Sequence, residues 1–156
     1  MTKPQLNRWA KTAAWGLISG NTVAWVASEN KAALPLALKW IDATEESAIR
    51  SGWTTLCAVV SIKPDDELPL DTVADLLDRV VRDMPTAADD VRYRMNNFII
   101  CVGTSLGDAA IKAARTLGKV EIDRGQTACK VPEAEPDIIK CRRGAPFAPK
   151  RKTCRC

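Results

Sequence analysis

The sequence predicts an all-α fold, an α-solenoid of repeated helix pairs ending in a basic tail. Three observations point to it. Residues 89–103, DDVRYRMNNFIICVG, open on two acids and then place Val91, Met95, Phe98, Ile99 and Val102 at helical spacing. The same design occurs 42 residues earlier, where Ile49-Arg50, Trp53, Leu56 and Val60 correspond to Val91-Arg92, Met95, Phe98 and Val102, with Glu45 and Glu46 supplying the acid. In front of each copy lies another apolar-periodic segment, 33–41 before the first and 73–84 before the second. A helix with one apolar stripe needs that stripe covered, and a repeat of about 40 residues covers it with the next pair.

Acid ahead of a [VI]-R dipeptide at this period is the pattern of HEAT-type solenoids. The elements follow in order. Pro4 suits the first turn of a helix carrying Leu6, Trp9, Ala13 and Leu17, with Ser19-Gly20-Asn21 as a break and a short helix over 22–28. Residues 31–42 read as the first helix of a pair despite Pro35, which fits the first turn if the helix begins near Leu34, and Asp42-Ala43-Thr44 is the connecting turn. Pro64 and the acids after it make a loop, Asp71 caps the next helix, and Asp89 or Asp90 caps the helix that follows Pro85. Residues 108–117 pack through Ala109, Ala110, Ala113 and Ala114 and are closed by Gly118. Residues 119–130 read as an extended loop around Gly125, and a last short helix spans 134–141. The domain is therefore placed at 1–143 and a mobile basic tail at 144–156.

Composition excludes several chemistries. The 156 residues contain no histidine, which removes imidazole-based triads and bases and Cys2His2 zinc sites, and no G-x-x-x-x-G-K-[ST] phosphate loop is present. No window approaches the roughly 20 apolar residues that span a bilayer, and the N-terminal stretch lacks the apolar centre of a signal peptide. A cytoplasmic protein with reduced cysteines is expected. Cys57 and Cys101 occupy apolar helix positions, while Cys129, Cys141, Cys154 and Cys156 lack the paired knuckles of a structural zinc site. Neither a metal nor a cofactor is expected, and the thiols of the tail are read as exposed.

Charge is distributed unevenly. Residues 140–156 hold seven basic residues and no acid, against 16 basic and 19 acidic residues elsewhere, so a basic tail follows a slightly acidic body. Lys and Arg gain by displacing counterions from phosphate, and the same tail would also serve solubility.

Several longer stretches resemble a known family. VRYRMNNFIICVG (91–103), GKVEID and GQTACKVPEA within 118–134, and PKRKTCRC (149–156) resemble the C-terminal part of the DNA alkylation repair family, the AlkD-like HEAT-repeat proteins. GLISGNTVAWVASE (16–29) and IRSGWTTLCAVVSIKPDDEL (49–68) are similar to the segments preceding it. The resemblance implies a curved helical-repeat stack holding duplex DNA by its backbone. It also implies a glycosylase that releases N3- and N7-alkylated purines without a cofactor by stabilising an oxocarbenium-like sugar. Relative to typical members the chain reads as shortened at its N-terminus.

The candidate residues carry paired readings. The family's catalytic Trp and Asp stand one helical turn apart on a helix, whereas Trp40 and Asp42 are spaced by two. Asp42 is still the carboxylate to test for catalysis, beside Trp40 and ahead of the Arg50–Trp53 helix, and its alternative is a helix-end turn residue. Arg50 and Arg92 serve either DNA or an internal ladder with acids of the neighbouring repeat. Arg94, Asn96 and Asn97 cluster on one helix as phosphate or groove donors, Arg124 and Lys130 flank the glycine loop, and Lys150, Arg151 and Lys152 add attraction from the tail. Trp9, Trp15 and Trp25 are either core or a stacking plate for a base. The expected partner is duplex DNA with alkylated bases, and the rival reading is a non-catalytic DNA-binding or protein-interaction scaffold.

Overall fold

Thr2 sets the first helix. Its hydroxyl accepts from the Gln5 amide at 3.4 Å while Gln5 Oε1 accepts from the Thr2 amide at 2.8 Å, a reciprocal cap that satisfies two donors. In the computed structural model, which describes residues 1–123, 125, 127 and 130–154, every regular element is helical among the described residues. No helix among them is long and apolar enough to cross a membrane. Contacts divide the chain into two compact units, residues 1–62 with the C-terminal stretch from 151, and residues 63–150.

In the first unit, α1 (Lys3–Thr12) buries Leu6 and Ala10 and leaves Lys3, Gln5, Arg8 and Lys11 in water. A wide π turn (Ile18–Thr22) runs straight into α2 (Val23–Ser28), and α3 (Ala33–Ile41) and α4 (Glu46–Ile62) follow. The α4 helix is central, since α1, the π turn, α2 and α3 all pack on it. Its burial extends to Ser47, Ala48, Ser51, Gly52, Trp53, Thr55 and Leu56. A helix covered this widely tolerates polar side chains only when they are bonded inside. Ser47 donates to the Lys11 carbonyl at 2.9 Å, Ser51 shares its hydrogen between the Ser19 and Ser47 carbonyls at 2.8 Å each, and Thr55 donates to the Ser51 carbonyl at 2.6 Å.

These bonds explain one departure from the sequence pattern. Ser19-Gly20-Asn21 is not a break but part of the π turn, with Ser19 and Gly20 buried. The widened turn is held by the Ser19 hydroxyl on the Trp15 carbonyl at 3.3 Å and by Ser51 on the Ser19 carbonyl. Long-range bonding to α4 therefore overrides local turn propensity.

In the second unit, α5 (Leu70–Asp83) and a 3-10 turn (Met84–Thr86) precede α6 (Asp89–Ser105), α7 (Ala109–Leu117) and α8 (Ala134–Arg142). Like α4, α6 runs 17 residues and opens on acid. The expected side-chain caps are absent: Pro69 and Ala88 hold the cap positions, and Asp71, Asp89 and Asp90 lie in the first turns, where their charge faces the helix dipole. Gly118 closes α7 as expected, at φ 63 with its amide on the Ala114 carbonyl. Against α6 lies α8, so closely that a Cβ on Gly103 would sit 2.8 Å from Ile138 Cγ1.

Arg142 closes this corner. Its Nε and Nη2 donate to the Gly103 carbonyl at 2.8 and 2.5 Å, Nη2 pairs with Asp108 at 2.9 Å, and the guanidinium lies 5.0 Å from the Phe147 ring centre. The stretch expected as a mobile tail carries further contacts within each unit. In the second, the Ala148 amide donates to the Thr104 carbonyl and Lys150 pairs with Asp65, both at 2.9 Å. In the first, the Arg151 amide donates to the Ser61 carbonyl at 2.9 Å, and Cys154 is 6% exposed, with Sγ 3.1 Å from Ser28 Oγ. Cys154, read from the sequence as an exposed thiol, is therefore a buried one.

Candidate nucleic-acid interface

The sequence candidates separate once their surroundings are known. Trp40 and Trp53 are 1% and 0% exposed, and Trp40 donates its indole hydrogen to Asn7 Oδ1 at 2.7 Å. Both belong to the core of α3 and α4, which corrects their placement on a DNA-contacting surface. The apolar stripe that marks them as helix-facing was the better signal. Asp42 is exposed at the end of α3, its amide bonded to the Trp40 carbonyl, so it shares a turn with Trp40 while the indole points away into the core.

On α6, two of the four donors are turned to internal duty. Arg92 Nη1 donates to the Glu121 carbonyl at 2.7 Å and Nη2 to the Ala87 carbonyl at 3.0 Å, with Asp89 Oδ1 at 3.5 Å. Asn96 is 1% exposed and donates Nδ2 to the Pro132 carbonyl at 2.8 Å. Together they tie Glu121 and Pro132, at either end of the segment between α7 and α8, to α6, and their donors are spent on those carbonyls. Arg94 is half-buried with its guanidinium 5.3 Å from the Tyr93 ring centre, and Asn97 is half-buried as well. Arg50 is half-buried beside the hydroxyl bonds of α4.

At the glycine loop, Gly125 takes φ 62 and its amide bonds to Asp123 Oδ1 at 2.7 Å, while Lys130 is exposed. Arg124 lies outside the described residues. An open cleft of about 330 Å³ between the legs of the loop is lined by Lys119, Glu121, Lys130 and Glu133, so acid and base alternate around it. Lys119 and Glu121 pair at 3.1 Å, and that bond raises the lysine pKa. This mixed lining gives no net attraction for phosphate.

Pairing consumes other bases. The Lys11 hydrogen bond lowers the Glu45 pKa, and Arg115 does the same for Glu135. Lys150 is engaged by Asp65. Of the exposed bases that remain, Lys112, Lys130, Lys140 and Arg143 lie in the second unit and six lie in the smaller first unit. Lys3, Arg8, Lys31, Lys39, Arg151 and Lys152 are exposed and make no side-chain ion pair or hydrogen bond among the described residues. By formal charge that unit holds nine basic and four acidic residues, net +5, whereas the second holds 14 and 15, net −1. Summing the sequence as body and tail hides this, because the tail bases from Arg151 belong with the N-terminal helices. Sequence reasoning accordingly missed Lys3, Arg8, Lys31 and Lys39, whose only signal is position on polar helix faces or, for Lys31, in the turn ahead of α3. No group of three or more Cys, Asp or Glu among the described residues is placed to hold a metal ion.

Comparison with known proteins places this arrangement. Two uncharacterized proteins, Lin0241 of Listeria innocua serovar 6a and Lmo0209 of Listeria monocytogenes serovar 1/2a, are each 31% identical to the chain over 147 residues. That alignment covers 91% of this chain and 62% of each relative, so the chain spans less than two thirds of their length. A solved structure superposes on all of this chain and 68% of its own, with TM-score 0.87 and 28% identity. It is described as representing a new family of proteins related to the HEAT-like repeat DNA glycosylases with affinity for branched DNA structures. No family model matches. The fold is a HEAT-like helical repeat, as the period of its helix pairs predicts.

Proposed function

We propose that this chain binds DNA through non-specific contacts to the phosphate backbone, with the net +5 unit as the principal electrostatic surface. The observation that carries the reading is the superposition, at TM-score 0.87, on a structure whose family is described as having affinity for branched DNA. Charge supports it independently. Six exposed bases with no side-chain partner among the described residues are free to displace counterions, whereas bases already paired with carboxylates gain little. Branched DNA is accordingly the ligand class to present first. Fluorescence anisotropy with a labelled four-way junction and a matched duplex, each at two salt concentrations, tests the reading. Affinity that falls steeply with salt supports it.

A second reading, a glycosylase releasing N3- or N7-alkylated purines, rests on the family resemblance and on Asp42. The exposed Asp42 carboxylate could face a sugar, but Trp40 and Trp53 are buried and offer no aromatic plate beside it. That geometry favours binding over base release. Incubation with methylated duplex DNA separates the two: release of 7-methylguanine or 3-methyladenine above the spontaneous rate, abolished by Asp42→Asn, would establish the glycosylase.

A further inference from the structure

Resting on the DNA-binding reading, we propose that Trp15 is a stacking plate for a base exposed at a DNA branch point. Five tryptophans are present, and Trp40 and Trp53 are core. Trp15 is the opposite case, 64% exposed, with Leu17 beside it in sequence at 56%. Covering such a side chain on binding removes apolar surface from water and contributes to affinity.

The display is built. The Trp15 carbonyl accepts from the amides of Ile18 at 2.9 Å and Ser19 at 3.1 Å and from the Ser19 hydroxyl at 3.3 Å. Ser19 is buried and its own carbonyl is held by Ser51 of α4. The indole therefore projects from backbone fixed to the central helix of the unit, and little backbone ordering entropy remains to be lost on binding.

Charge selects the occupant. Trp15 belongs to the net +5 unit, and α1, which leads into it, carries Lys3 and Arg8 exposed and without partner among the described residues. An apolar protein partner gains nothing from that surplus, while a polyanion with open aromatic faces does. Nucleic acid is such a ligand, and an aromatic plate accepts any base because every base has a π face. In an intact duplex those faces are hidden in the stack, and exposing one costs a few kcal/mol. At the branch point of a fork or an open junction they are already exposed. Trp15 thus adds affinity for branched DNA without adding it for duplex.

The test compares the chain with Trp15→Ala and Trp15→Phe by anisotropy on a four-way junction and on a matched duplex of equal length. The Ala variant should bind the junction roughly 5- to 150-fold more weakly, the range for one lost stack, with duplex affinity unchanged. The Phe variant, which keeps a ring, should recover most of the loss. Equal weakening on both ligands, or no weakening on the junction, overturns the proposal while leaving DNA binding intact. Absence of salt-sensitive binding by the unsubstituted chain overturns the DNA reading itself. Sedimentation supplies the remaining outcome: self-association lost in Trp15→Ala, with junction binding retained, would assign this surface to a second copy of the chain and overturn the stacking role.

Discussion

Gly52 of α4 lies so close to Ile41 of α3 that a Cβ on Gly52 would stand 2.8 Å from both Ile41 Cγ2 and the Ile41 amide nitrogen. The Ala37 carbonyl oxygen would lie 3.0 Å away. Two of these three atoms are backbone, so the clash cannot be relieved by a rotamer change. Gly52→Ala gains about 1 kcal/mol of helix propensity and meets overpacking of about 1–3 kcal/mol, more where backbone must move. The expected outcome is net destabilisation, read as a lower urea midpoint with an unchanged slope.

Ser51→Ala removes the hydroxyl shared by the Ser19 and Ser47 carbonyls. The Ser47 carbonyl belongs to the α4 ladder, whereas the Ser19 carbonyl lies in the π turn and loses its bond to α4. Loss of about 1–2 kcal/mol is expected, with faster amide exchange over residues 18–22. Unchanged exchange there would show that α4 does not hold the π turn.

Arg92→Lys keeps the charge and loses the fork that bonds the Glu121 and Ala87 carbonyls at once. Proteolysis within 119–130 should accelerate while helix content is retained. If instead Arg92 served phosphate, Lys would leave the loop as resistant as before.

Acid should weaken the fold through Glu45 and Glu135. Hydrogen bonds from Lys11 and Arg115 hold their pKa values below the ordinary 4.5. A carboxylate whose folded value is depressed contributes stability that is present above its unfolded value and lost as pH falls through the folded one. Both pairs are at the surface, so the effect is small and screened by salt. Glu135→Gln should lower the thermal midpoint slightly near neutrality, where the pair contributes, and flatten its fall below pH 4.5, where the two proteins converge.

The fold was legible because its signals are local and repeated. Apolar spacing in 89–103 and its echo at Ile49 to Val60 located α6 and α4, and Gly118 marked the end of α7. What was not legible depends on contacts distant in sequence. Nothing near Ser19 announces that Ser51 will hold its carbonyl, and Asn96 looks like a surface donor until Pro132 lies against it. The site suffered most for the same reason. Trp40 beside Asp42 suggests an aromatic next to a carboxylate, but successive helix positions point in different directions, and the core takes the indole.

Removing tail charge should change binding in a countable way. If Arg151 and Lys152 each neutralise a phosphate, the double alanine variant should lower the slope of log affinity against log salt by about 1.8 on B-form duplex. An unchanged slope would exclude Arg151 and Lys152 from phosphate contact and direct the same test to Lys3, Arg8, Lys31 and Lys39.

The measurement closest to the central claim is anisotropy of a labelled four-way junction titrated with the unsubstituted chain at low and at physiological salt. The account predicts saturable binding that weakens steeply as salt rises, through the bases of the net +5 unit. No binding at low salt, or binding indifferent to salt, would contradict it.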